Sequence, residues 1–159
     1  MQSRLRTILL GTTLTFLGPV GALMAQAKDP VLGTWQLDLS KSKYDPGPPP
    51  KMLTLTYEAV GDGIKVTTKG ADGQGKPIAT EYTANYDGKD SPVTGETDYD
   101  AVSLKRVSPL SATITRKKNG KVVETVTRVV SADGNMLTVT VKGTNAKRQS
   151  VHDVAVYGR

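Results

Sequence analysis

The residues able to do chemistry are few and poorly matched to one another. His152 is the only histidine, and the chain has no cysteine. A zinc site needs several nitrogen or sulfur ligands, and a nucleophilic triad needs a histidine beside a placed nucleophile and acid. Asp153 follows His152 directly, so on a strand their side chains point to opposite faces. Glu96, Asp98 and Asp100 alternate, with Asp87 and Asp90 nearby. On a strand such carboxylates share one face, and oxygen-rich clusters hold Ca²⁺. They match no calcium-loop pattern, however, and a charged outer face that keeps a hairpin soluble is the simpler account. Asp72-Gly73-Gln74-Gly75-Lys76 is glycine-rich, but a phosphate loop needs a following helix, and none is expected. The sequence predicts no catalytic residue, no metal and no cofactor.

Aromatic side chains are the better candidates for ligand contact. Trp35, Tyr57, Tyr82 and Tyr99, with Tyr157, fall in or near strand-like segments. Tyrosines there are ordinary wall residues first, but their hydroxyls would give an apolar pocket its few orienting groups. We take Trp35, Tyr57, Tyr82 and Tyr99 as the candidate ligand-binding residues.

The elements that would position them are strands. Asn-Gly, Asp-Gly and other turn signals recur along the chain, as at Gly61-Asp62-Gly63, Asp87-Gly88, Asn119-Gly120 and Asp133-Gly134-Asn135. This spacing suits a meander of short strands. Between the turns, apolar and polar residues alternate. Leu53, Leu55 and Tyr57 oppose Thr54, Thr56 and Glu58, and Leu137, Val139 and Val141 oppose Thr138, Thr140 and Lys142. Period two marks a half-buried strand. Strands are expected near 32–39, 51–60, 63–70, 77–86, 97–106, 110–118, 121–131, 135–142 and 150–157, with a short one near 90–94. Two of these have no clear face. In 121–131, Val123, Thr125, Thr127 and Val129 compete with Val122, Val126, Arg128 and Val130, and in 150–157, Val151, Ala155 and Tyr157 compete with Val154 and Val156. Such strands are covered on both sides, or the interior is partly polar. Residues 41–51 hold four prolines and a glycine, which reads as a stiff connector across one end of the sheet.

The chain has 159 residues, one domain's worth. Residues 1–27 read as a signal peptide: Arg4 and Arg6, an apolar run over 8–20, then Ala25-Gln26-Ala27. The run is interrupted and too short for a spanning helix, so cleavage would leave residues 28–159 as one domain without a membrane anchor. Export, to the periplasm or beyond the cell, is the expectation. An exported chain without cysteine has no disulfide framework. Removing the leader leaves 19 basic against 15 acidic residues. The two basic clusters, Arg116-Lys117-Lys118 and Lys147-Arg148, sit beside turn signals and read as solvated surface. No basic stripe interleaved with aromatics argues for nucleic acid.

The segment Gly33-Thr34-Trp35-Gln36-Leu37 resembles the Gly-x-Trp signature of lipocalins and the wider calycin group, and Gly-Thr-Trp-x-Leu also opens fatty-acid-binding proteins. With Lys41-Ser42-Lys43, Pro46-Gly47-Pro48, Asp87-Gly88-Lys89-Asp90 and Val154-Ala155-Val156-Tyr157, nearly the whole chain is similar to a group of small secreted bacterial proteins with lipocalin-like domains. The resemblance implies an all-β, antiparallel up-and-down barrel of about eight to ten strands, with a two-sheet sandwich as the alternative. It implies a small, largely apolar ligand; that the protein is not an enzyme is expected because no catalytic constellation supports one, since calycin-like folds host several activities. The competing expectation is a structural or protein-interaction domain with a filled core. Two departures stand out. Lipocalins usually stack a basic side chain on the Trp from the last strand, and 153–157 offers none. Fatty-acid-binding proteins hold the ligand carboxylate with an Arg two residues before a Tyr, where this chain has Ala155 before Tyr157.

Overall fold

The computed structural model describes residues 28–159; the expected signal peptide lies outside the described residues. Ten antiparallel strands close into a barrel: β1 (Gly33–Leu37), β2 (Met52–Val60), β3 (Gly63–Ala71), β4 (Pro77–Asn85), β5 (Asp87–Thr94), β6 (Ala101–Ser108), β7 (Ser111–Lys118), β8 (Lys121–Val130), β9 (Met136–Thr144) and β10 (Ser150–Gly158). Each strand pairs with its neighbour in sequence, and β1 closes against β10. This is the expected all-β, up-and-down barrel rather than a sandwich, and closure removes the unpaired edges of an open sheet. Asn119 and Gly120 both adopt positive φ, 50° and 75°, as a tight two-residue hairpin requires.

Two boundaries differ from expectation. The strand expected at 97–106 begins only at Ala101, because 95–100 is a loop. Gly95 starts it with φ 78°, and the Glu96 carboxylate accepts the backbone N–H groups of Thr97 and Asp98. Glu96, Asp98 and Asp100 therefore do not share a strand face. Asp87-Gly88 is not a hairpin tip but the irregular start of β5, which is longer than the short strand expected at 90–94.

The two undecided strands have definite faces. In β8, Glu124, Val126, Arg128 and Val130 are buried while Thr125, Thr127 and Val129 are exposed. The interior is thus partly polar. In β10, Val151, Ala155 and Tyr157 point inward.

The ends of the barrel are built differently. At the base, Val31, Trp35, Ile64, Leu104 and Leu137 are each at most 1% exposed and form a solid apolar plug. At the opposite end, the proline-rich connector lies across the barrel as expected. Lys43 bridges to Val154, the Asp45 carbonyl accepts the His152 N–H, and Pro48 packs by Gly73 in the β3–β4 turn. One seam is thin. β3 pairs with β4 over nine residue pairs, whereas β4 pairs with β5 only at Glu81–Thr94 and Tyr82–Val93.

Candidate functional site

Above the apolar plug the barrel holds a cavity of about 210 Å³. Its wall follows from strand register. Tyr57, Val66, Tyr82 and Val93 are opposite one another across β2 to β5, and Ile114, Val126 and Val141 continue across β7 to β9. Side chains at alternate positions of each strand enter the lumen. The apolar part of the lining includes Leu53, Leu55, Ile78 and Val139.

Three of the four residues expected to contact a ligand line this cavity: Tyr57, Tyr82 and Tyr99. Tyr99 does so from the β5–β6 loop rather than from a strand. Tyr157 lines it too. Burial pushes the phenols of Tyr57, Tyr82, Tyr99 and Tyr157 above their ordinary value, so all four keep their protons at neutral pH and can donate hydrogen bonds. Trp35 is not among the lining residues. It belongs to the plug, where its Nε1–H donates to the Val31 carbonyl at 2.8 Å.

The basic partner of Trp35 exists after all. Arg159, just past the end of β10, places its guanidinium 4.2 Å from the Trp35 ring centroid and donates to the carbonyl oxygens of Pro30 and Leu32. It lies two residues beyond Tyr157, outside the 153–157 segment where none was expected.

The sequence leaves a partly polar interior open for the 121–131 strand but singles out neither Arg116 nor Glu124 as part of it. Arg116, expected on the surface, points inward from β7. Its Nη1 donates to Glu124 Oε2 at 2.8 Å, across a direct register pair between β7 and β8. Its guanidinium also lies 4.6 Å from the Tyr99 centroid. Burial works against this charge, but Tyr99 and Glu124 outweigh it and hold its pKa above the ordinary value. Gly143 faces Glu124 from β9, and a Cβ there would collide with the Glu124 backbone. The missing side chain leaves room for the ion pair.

Arg128 sits deeper, between the cavity and the plug. It is 3% exposed, and its Nη2 donates to Tyr86 Oη at 2.7 Å. Tyr86 in turn donates to Asp29 Oδ2 at 2.9 Å, and Asp29 pairs with Arg106, which stacks on the Tyr86 ring at 3.8 Å. This relay runs from the cavity floor to the base, where β4 and β5 part. His152 is exposed, and among the described residues no group of three His, Asp or Glu side chains could hold a metal.

Together, the closed ten-strand meander, the plugged base and the lined lumen define a calycin-type barrel. No family model and no curated protein matches the sequence. Solved structures do match. The chain is similar to zebrafish ileal bile acid-binding protein complexed with cholic acid, with a TM-score of 0.50, 14% identity, and coverage of 82% of this chain and 98% of that one. It is also similar to a redesigned β-barrel, mFAP1, bound to DFHBI, with a TM-score of 0.41, 13% identity, and coverage of 82% and 95%.

Proposed function

We propose that this chain is an exported, non-enzymatic binding protein that holds a small, largely apolar molecule inside the barrel. The observation that carries this is the lined cavity itself. Aliphatic walls and a few protonated tyrosine hydroxyls converge on one partly open cavity, the usual make-up of a small-molecule site. The competing expectation, a filled core, is at odds with a cavity of about 210 Å³. That the bile acid-binding neighbour carries cholic acid supports the same use of the fold. Non-enzymatic action is supported by the placement of the ionisable groups. Glu124 is tied to Arg116, and Asp29 is held by Arg106 and Tyr86. His152 stands outside the barrel.

The test is titration with an environment-sensitive apolar dye. One-site, saturable uptake is expected, and Ile114→Trp, which fills the lumen, should abolish it while the β-sheet circular dichroism persists. Absence of saturable uptake by the unmodified protein would sink the proposal.

A further inference from the structure

The charges that face the cavity balance. Arg116 and Arg128 line it as guanidiniums and Glu96 lines it as a carboxylate, while Glu124 is ion-paired with Arg116. The other nearby acids are committed elsewhere. Asp29 pairs with Arg106 and reaches Arg128 only through Tyr86, and Asp153 accepts the Asp45 N–H at 2.9 Å on the connector side. Two positive and two negative groups therefore share one low-dielectric space, where any further charge is costly to bury.

These groups are separated along the barrel axis. Arg116, Glu124 and Glu96 lie towards the connector end, in the last half of β7, the first half of β8 and the β5–β6 loop. Of the groups facing the lumen, that end therefore carries one net negative charge. Glu96 is fixed there, because its Oε1 accepts the N–H groups of Thr97 and Asp98 at 2.7 and 3.0 Å. Arg128 lies at the floor, and its buried Nε and Nη1 have no acceptor. A donor left unsatisfied in such a place is expensive, and a guanidinium has no acceptor of its own to offer. The oxygen of an uncharged molecule would satisfy these donors and leave the charge balance as it is. A carboxylate would reach them only past Glu96, and its charge would then stand against Glu96 within the same lumen.

We propose that the ligand is a compact uncharged molecule with a carbonyl-type acceptor, and that Glu96 is the residue that turns carboxylates away. This rests on the cavity reading above and adds the chemical class. The acceptor oxygen lies against Arg128, and the apolar body lies against the aliphatic wall and the tyrosine rings, where a flat ring stacks well. A cavity of about 210 Å³, on the order of seven water molecules, suits one ring or two fused rings.

The experiment compares three probes with one ring system by calorimetry on the protein as purified: methyl naphthyl ketone, ethylnaphthalene and naphthoate. A hydrogen bond to a charged group corresponds to about ten-fold or more in affinity, so the ketone should bind at least about ten-fold tighter than ethylnaphthalene. It should also bind tighter than naphthoate. Glu96→Gln, whose amide oxygen can still accept the Thr97 and Asp98 N–H groups, should narrow the gap between naphthoate and the ketone by about ten-fold, the scale of a unit charge acting across a low-dielectric lumen. Arg128→Met should bring the ketone down to the level of ethylnaphthalene. Equal binding of the three probes by the unmodified protein, or tightest binding of naphthoate, overturns the proposal while leaving the cavity reading intact. Saturable binding of none of them overturns both. An unchanged gap in Glu96→Gln refutes the role of Glu96, and a ketone preference that survives Arg128→Met refutes the role of Arg128. If the Arg128 variant fails to fold, the unmodified protein and Glu96→Gln still decide the outcome.

Discussion

Arg159 stacks on Trp35 at 4.2 Å, so the residue that follows β10 locks the first strand into the base of the barrel. The same guanidinium holds the carbonyl groups of Pro30 and Leu32. It thereby fixes the segment that carries Val31, the acceptor of the Trp35 indole N–H.

Truncating the plug should be costly and truncating its clasp less so. Trp35→Ala should lose about 3–5 kcal/mol by emptying a fully buried site. Arg159→Ala should lose about 1 kcal/mol, because the arginine is largely exposed and cation–π contacts there are weak. Urea unfolding would measure both, and equal losses would contradict this division. Trp35 emission should be blue-shifted in the folded protein.

The Arg116–Glu124 pair should behave as a buried pair. Glu124→Ala leaves a guanidinium without its carboxylate, and the expected loss is about 3 kcal/mol, the lower end for such pairs because Arg116 keeps some open surface. Replacing both, Arg116→Met with Glu124→Leu, should restore most of the loss. A double variant no more stable than Glu124→Ala would show that the charges are not what the site requires.

Asp29 should contribute to acid unfolding. Burial alone would raise its carboxyl, but hydrogen bonds from Arg106, the Val31 N–H and Tyr86 outweigh it and hold the group below its ordinary value. A folded-state value below the unfolded one, about 3.9, means stability that is present above that pH and lost as pH falls through the folded value. Asp29→Asn should therefore be less stable at pH 7 and lose less than the unmodified protein between pH 5 and pH 2. Parallel pH profiles of urea midpoints would refute the assignment.

Export predicts a defined N-terminus. Intact-mass analysis of protein from its natural host should find a chain beginning at Lys28, one residue before Asp29 joins the base. Recovery of all 159 residues from the cytoplasm would refute export.

The fold was legible because hairpin chemistry and period-two alternation agree along most of the chain. Leu55, Tyr57, Ile64, Val66, Leu137 and Val141 all point inward as their alternation demands. Alternation cannot place a charge that has a partner across the strand. Arg128 shares an undecided face with Val126 and Val130, Glu124 looks like a solvent-facing residue, and only the register of β7 with β8 reveals that Glu124 meets Arg116 inside. The surface expectation for Arg116 failed for the same reason, since its neighbours Lys117 and Lys118 do belong outside, bonded to Asp90 and to the Thr97 carbonyl. The loop at 95–100 was hidden because Asp98 and Asp100 imitate strand alternation. Gly95 was the available signal.

The short pairing between β4 and β5 gives the barrel a direction of compliance. The other two-pair junction, β1 with β10, is reinforced by backbone bonds from Asp38 to Val156 and from Lys43 to Val154. At β4–β5 the additional tie is a Thr94 hydroxyl on the Glu81 carbonyl at 3.3 Å. A cylinder stiff everywhere but along one line opens there first, as a slit rather than at its rim. Local opening follows the weakest set of hydrogen bonds, so the backbone amides facing this seam should exchange with deuterium ahead of those between β2 and β3. Such breathing offers a small solute a lateral path into the lumen that leaves the proline-rich strap where it is.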